Sequence, residues 1–159
     1  MKFLRTLWSN PVRRTVLLLI VIGIPIGLGL FTFSYAKGGS YLSDDPQACM
    51  NCHVMRDQFE AWQHSSHHRV ATCNDCHTPH TSLVAKYVVK GINGFNHSLA
   101  FTTGNFHDPI TINAMNASVV QENCIACHEN LTTMMAVNHA EEELACVSCH
   151  NDVGHDTRN

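Results

Sequence analysis

Cys49-Met50-Asn51-Cys52-His53 is the first of four copies of one pattern in this chain. The others are Cys73-Asn74-Asp75-Cys76-His77, Cys124-Ile125-Ala126-Cys127-His128 and Cys146-Val147-Ser148-Cys149-His150. C-x-x-C-H is the attachment site of a c-type haem: two thiols add across the porphyrin vinyl groups, and the adjacent imidazole is left facing the iron. One copy alone also fits a redox dithiol or chance. Four copies consume all eight cysteines of a chain with 12 histidines, and the rival readings fail on chemistry. A zinc or iron–sulfur centre needs four ligands per metal and does not place a histidine after every second cysteine. A disulfide scaffold needs no histidine.

The remaining composition agrees with four covalently bound c-type haems. At 159 residues, 14% of them charged, the chain holds one small domain beyond its N-terminus, and long apolar runs are few after residue 36. Such a domain is poor in core. Four macrocycles supply the missing apolar surface, so the expected fold is mainly α with many loops, short helices and little sheet.

Thr15 to Ala36 is a run of 22 residues without a formal charge. About 20 apolar residues cross a bilayer as a helix. Lys2, Arg5, Arg13 and Arg14 precede it and few basic residues follow, which places the N-terminus in the cytoplasm and the haem domain outside. A cleaved signal peptide is the rival reading, with Ser34-Tyr35-Ala36 as cleavage site, but the apolar run is longer than a signal core. Pro25 is a candidate kink, and Gly23 and Gly27, with Gly29 nearby, make a small-residue face suited to self-association. Beyond the span, six basic residues face 13 acidic ones, which argues against nucleic acid. The expected organisation is a cytoplasmic basic segment 1–14, a single transmembrane helix 15–36, a linker 37–48, and a periplasmic multihaem domain 49–159. That domain reads as two dihaem halves, about 49–80 and 124–155.

The halves look like a duplication. Cys49 and Cys73 are 24 apart, Cys124 and Cys146 are 22 apart, and each pair has a histidine shortly before its second motif, His67 (or His68) and His139. A histidine at the same place in both halves reads as an iron ligand. His53 is followed by Met55, whose thioether is a further axial candidate beside the commoner fate of packing. Asp57 to Ser66 has helical spacing, as does Asn113 to Val120, and His107-Asp108-Pro109 reads as the break that ends the middle helix.

In that middle helix, Ser82 to Thr103, Lys86, Lys90, Gly94 and His97 share one face. Gly91 and Gly94 each cost about 1 kcal/mol against Ala in a helix, so something is expected to press close, a haem plane or a quinone ring. A short linker keeps the first haem near the membrane surface, where a lipid-soluble donor is within reach. Oxidising a quinol removes two electrons and two protons, and histidine or a perturbed lysine suits that task. Lys90 and His97 are therefore the candidate quinol-site residues.

The anchor, Cys49-Met50-Asn51-Cys52-His53-Val54-Met55, Trp62-Gln63-His64-Ser65-Ser66-His67 and the second motif together resemble the NapC/NirT family of tetrahaem quinol dehydrogenases. The short chain and its Gly154-His155 ending resemble the family branch that forms the small subunit of cytochrome c nitrite reductases. The resemblance implies electron flow from menaquinol, through four haems, to a periplasmic pentahaem nitrite reductase at the bacterial inner membrane. It also implies that Met55 replaces His53 on the first iron, with a lysine matching Lys90 in the quinol site. The position that is aspartate in some relatives is His97 here, which leaves two states open: a five-coordinate iron, or one capped by His97. By the same resemblance His150 pairs with His67 and His128 with His155. The partner of His77 is either His139 or a lysine of the catalytic subunit. Two other functions stay open on sequence: an anchored electron-transfer wire without a quinol site, and a quinol dehydrogenase serving another periplasmic reductase.

Overall fold

The computed structural model describes residues 10–136 and 145–155. His139 and the Glu141-Glu142-Glu143 run, singled out above, lie outside the described residues. The chain divides into two units, Met1–Ser40 and Tyr41–Asn159.

Among its described residues the first unit is mainly one helix, α1, Pro11–Tyr35, after which a 3₁₀ turn begins at Gly38. The helix starts four residues before the charge-free run and so takes Arg13 and Arg14 into its first turn. Local chemistry explains this start: Pro11 occupies a first-turn position that needs no N–H, and the Asn10 side chain accepts from Val12 N at 3.0 Å and Arg13 N at 3.3 Å. With 25 residues and a mean hydropathy of 2.6, α1 is long and apolar enough to cross a membrane. It runs unbroken through Pro25. Beyond its end Lys37 adopts φ 51°, and Gly38 follows where a Cβ would collide with the Phe33 ring. Only glycine allows that close return of the chain.

The second unit contains no strand among the described residues. The 3₁₀ turns Pro46–Asn51 and His53–Met55 carry the first motif, and α2, Arg56–His64, follows. Then come α3, Cys73–His77; α4, Leu83–Thr103; α5, Ala114–Cys127; α6, Glu129–Ala136; and α7, Cys146–Cys149. Ser82 caps α4 by accepting from Ala85 N at 3.1 Å. The helix ends at Thr103, as its spacing predicts, stopped by Gly104, whose φ of 69° suits glycine, before the His107-Asp108-Pro109 segment. The helix expected over Asn113–Val120 is longer: capped by Asn113, it continues through Cys124 and Cys127 and so contains most of the third motif.

Few apolar side chains are buried: among the described residues of this unit, Ala48, Phe59 and Val119. Buried Thr78, Asn116 and Asn123 stand beside them, and polar side chains on α5 do the joining. Asn116 and Asn93 of α4 exchange amide hydrogen bonds, 2.9 Å in each direction. Asn123 donates to the carbonyls of Cys76 at 3.1 Å and Thr78 at 2.8 Å, and the Gln121 side-chain oxygen accepts from Cys146 N at 2.9 Å. One helix thereby carries the third motif, grips the second and fourth, and docks α4. Trp62 ties α2 to the segment before the second motif through Nε1, 3.0 Å from the Ala71 carbonyl.

Candidate redox centre

The four motifs follow one another in space as they do in sequence. The Cys49 thiol is drawn down to about 7, first by a hydrogen bond with the Cys73 thiol and, against burial, by the Lys90 charge. The same bond, followed by burial, pushes Cys73 up. Burial also raises Cys76 and then the nearness of Cys124 adds to it, while Cys124 is raised by burial and next by Cys146. These couplings mark neighbours: first motif to second, second to third, third to fourth. Cys52 is held near Tyr41, whose hydroxyl lies 3.7 Å from Sγ and is pushed up to about 12 by burial and then by that contact. Cys127 and Cys149 are exposed at the ends of α5 and α7.

The motif segments are shaped locally. In α3, the Asp75 carboxylate accepts from Thr72 N at 2.7 Å and Thr72 Oγ1 at 2.8 Å, closing a capping box that presents Cys73, Cys76 and His77 on one short helix. His80 Nε2 lies 2.9 Å from the Asp75 carbonyl, a contact within that loop.

The histidines gather in couples. His77 and His155 have ring centroids 6.0 Å apart with planes inclined by 9°, and His67 and His128 are 6.1 Å apart. Two imidazoles on opposite sides of one metal, each bond about 2 Å, put their centroids about 6 Å apart. His67 Nδ1 lies 3.0 Å from the Val153 carbonyl. As the carbonyl can only accept, the proton sits on Nδ1 and Nε2 keeps its lone pair for a metal. His155 Nδ1 is buried without a hydrogen-bond partner. Eight thiols on four two-thiol segments, imidazoles at iron-spanning distance and a core short of apolar side chains all fit covalently held haem. The couples brought together, His77 with His155 and His67 with His128, differ from the couples implied by resemblance, which share three of the same four rings. His150 is exposed at the end of α7.

Around the first motif, His53 is exposed with its ring edge-on to Phe101 of α4 at 6.2 Å, and Met55 is half-buried. Lys90 reaches the Asp44 carboxylate at 2.9 Å and the Ser43 carbonyl at 2.8 Å. In the sequence Asp44 is marked only by Asp44-Asp45-Pro46, which reads as linker. Lys86 also pairs with Asp44. His97 keeps an accessible surface, yet enough protein surrounds the ring to push its pKa down by burial. It lies close enough to His77 to help burial and His155 hold that imidazole at about 4. Lys90 and His97 thus share a helix face but reach toward different motifs. At Gly91 and Gly94 a Cβ would meet no protein atom within 4 Å, so no protein group presses on them.

Residues 10–159 match the model of the NapC/NirT cytochrome c family, N-terminal region. The chain is 42% identical over 147 residues to the cytochrome c-type protein NrfH of Wolinella succinogenes, covering 86% of this chain and 83% of that protein. It is 33% identical over 128 residues to the cytochrome c nitrite reductase subunit NrfH of Nitratidesulfovibrio vulgaris, covering 80% and 78%. Among solved structures it resembles a chain of the cytochrome c nitrite reductase NrfHA complex bound to the HQNO inhibitor, with a TM-score of 0.63 and 30% identity, covering 88% of this chain and 92% of that one.

Proposed function

This chain belongs to the NapC/NirT cytochrome c family, and from that premise we propose that it is a membrane-anchored menaquinol dehydrogenase. In this reading it delivers electrons to a periplasmic pentahaem nitrite reductase. The observation that carries the proposal is Lys90, a nearly buried ammonium held by the Asp44 carboxylate at 2.9 Å and the Ser43 carbonyl at 2.8 Å, on the loop that leads into the first motif. An electron wire has no use for a fixed cation at its entry; a quinol oxygen does. Bound at the four motifs, c-type haem supplies one-electron redox centres whose potentials follow their axial ligands.

The chain's own residues supply the rest. Lys90 presents N–H to the substrate oxygen. The eight cysteines fix the order of the centres. His67, His128, His77 and His155 would hold haem iron through their imidazoles, and Met55 or His53 would hold the iron of the first motif. His150 and either His139 or a lysine of the catalytic subunit would complete the iron ligands, and His97 stands on the same helix as Lys90. The apolar α1, 25 residues long, supports a single-pass anchor in the inner membrane with the haem domain in the periplasm. Kinship with nitrite reductase subunits supports the choice of acceptor.

The test is nitrite-dependent oxidation of a menaquinol analogue by the full chain in membranes with its reductase. Lys90→Leu abolishes it at unchanged haem content; full activity in that variant removes Lys90 from the site.

A further inference from the structure

We propose that Asp44 is the positioning residue that orients Lys90 so that one N–H is directed to substrate; this rests on the assignment of Lys90 to the quinol site. An ammonium has three N–H donors. Asp44 Oδ1 takes one at 2.9 Å and the Ser43 carbonyl takes a second at 2.8 Å. One N–H is left for a quinol oxygen; the side chain is 11% exposed, and its other neighbour is the Tyr87 ring, with the centroid 5.6 Å from Nζ.

The loop does not need Lys90 to hold it in place. Lys86 already pairs with Asp44, Tyr87 OH donates to the Leu42 carbonyl at 3.3 Å, and Asn74 Nδ2 donates to the Ser43 carbonyl at 3.4 Å. The dependence therefore runs the other way: a loop pinned by Lys86, Tyr87 and Asn74 presents a carboxylate and a carbonyl that orient Lys90. In that orientation the remaining N–H of Lys90 is the one that meets the quinol oxygen.

The experiment uses the full-length, haem-loaded protein extracted from membranes and reduced by a menaquinol analogue. Asp44→Asn, Asp44→Glu, Lys90→Leu, the Asp44→Asn/Lys90→Leu double variant and the charge-matched control Asp45→Asn are compared. Asp44→Asn keeps haem content and the dithionite-reduced spectrum but loses about tenfold or more in kcat/KM. Asp44→Glu recovers part of that loss, and Asp45→Asn behaves as the parent. The double variant is no worse than Lys90→Leu, because both changes remove one interaction. Parent-like kinetics of Asp44→Asn, beside an inactive Lys90→Leu, overturn the role of Asp44 and leave the quinol site standing. Full activity of Lys90→Leu overturns both. If Asp44→Asn fails to mature, Asp44→Glu decides: reduced kcat/KM at full haem content supports the proposal, and unchanged kinetics overturn it.

Discussion

Asn93 and Asn116 face each other amide to amide, each donating to the other at 2.9 Å. The pair fixes α4, which carries Lys90 and His97, onto α5, which carries the third motif and grips the second and fourth. A half-buried polar pair of this kind is worth little net, but either half left alone is expensive. It therefore specifies register between the two helices more than it adds stability.

Asn116→Leu leaves the Asn93 amide without its partner and lowers the stability of the haem-loaded protein by about 1–3 kcal/mol. Converting both to leucine recovers most of that loss. Thermal unfolding followed by haem absorbance measures both; a double variant as unstable as the sum of the singles would show that the pair is not coupled.

Asn123 bonds two carbonyls at the end of the second motif, at 3.1 and 2.8 Å. Asn123→Ala removes both bonds from buried surroundings and costs about 1–3 kcal/mol, read as an earlier unfolding midpoint. Asn123→Asp is worse than Ala, because it brings an uncompensated charge to two carbonyl oxygens.

His67→Ala and His155→Ala each remove one imidazole from a couple spaced for iron. Each converts one low-spin haem signal to high spin in the electron paramagnetic spectrum, and the double variant converts two. A double variant with only one altered haem would place both histidines on the same iron.

Lys86 and then Lys90 hold the Asp44 carboxyl below its ordinary value. A depressed carboxylate pKa means that the ionised form persists through neutral and weakly acidic pH and is lost only as pH falls through the depressed value. The ratio of kcat/KM, parent over Asp44→Asn, should therefore stay constant between about pH 7 and 5 and approach one only below about pH 4. A midpoint near pH 6 would assign the effect to an imidazole.

The motifs and the two long helices were legible because their signals are local. C-x-x-C-H needs no fold to be read, the apolar run of α1 announces itself, and Ser82 with the spacing of Lys86, Lys90 and His97 marks α4. The end of α4 at Thr103 follows from the same spacing, and Gly104, with φ 69°, stops it there. α5 was cut short because it has no clean apolar face: it buries Asn116, Val119 and Asn123, and its partners are carbonyls and a second amide. The clamp on Lys90 joins residues 46 apart, and no local pattern marks it. The histidine couples depend on which loops meet, which spacing alone does not determine.

The most direct test of quinol oxidation is reduction of the purified, membrane-extracted protein by a menaquinol analogue, followed by haem absorbance with and without a quinol-site inhibitor. Fast reduction that a quinol-site inhibitor blocks and that Lys90→Leu abolishes is expected. Absence of quinol-driven reduction, in protein that dithionite reduces normally and with its reductase partner present, would contradict it and make the chain an electron wire.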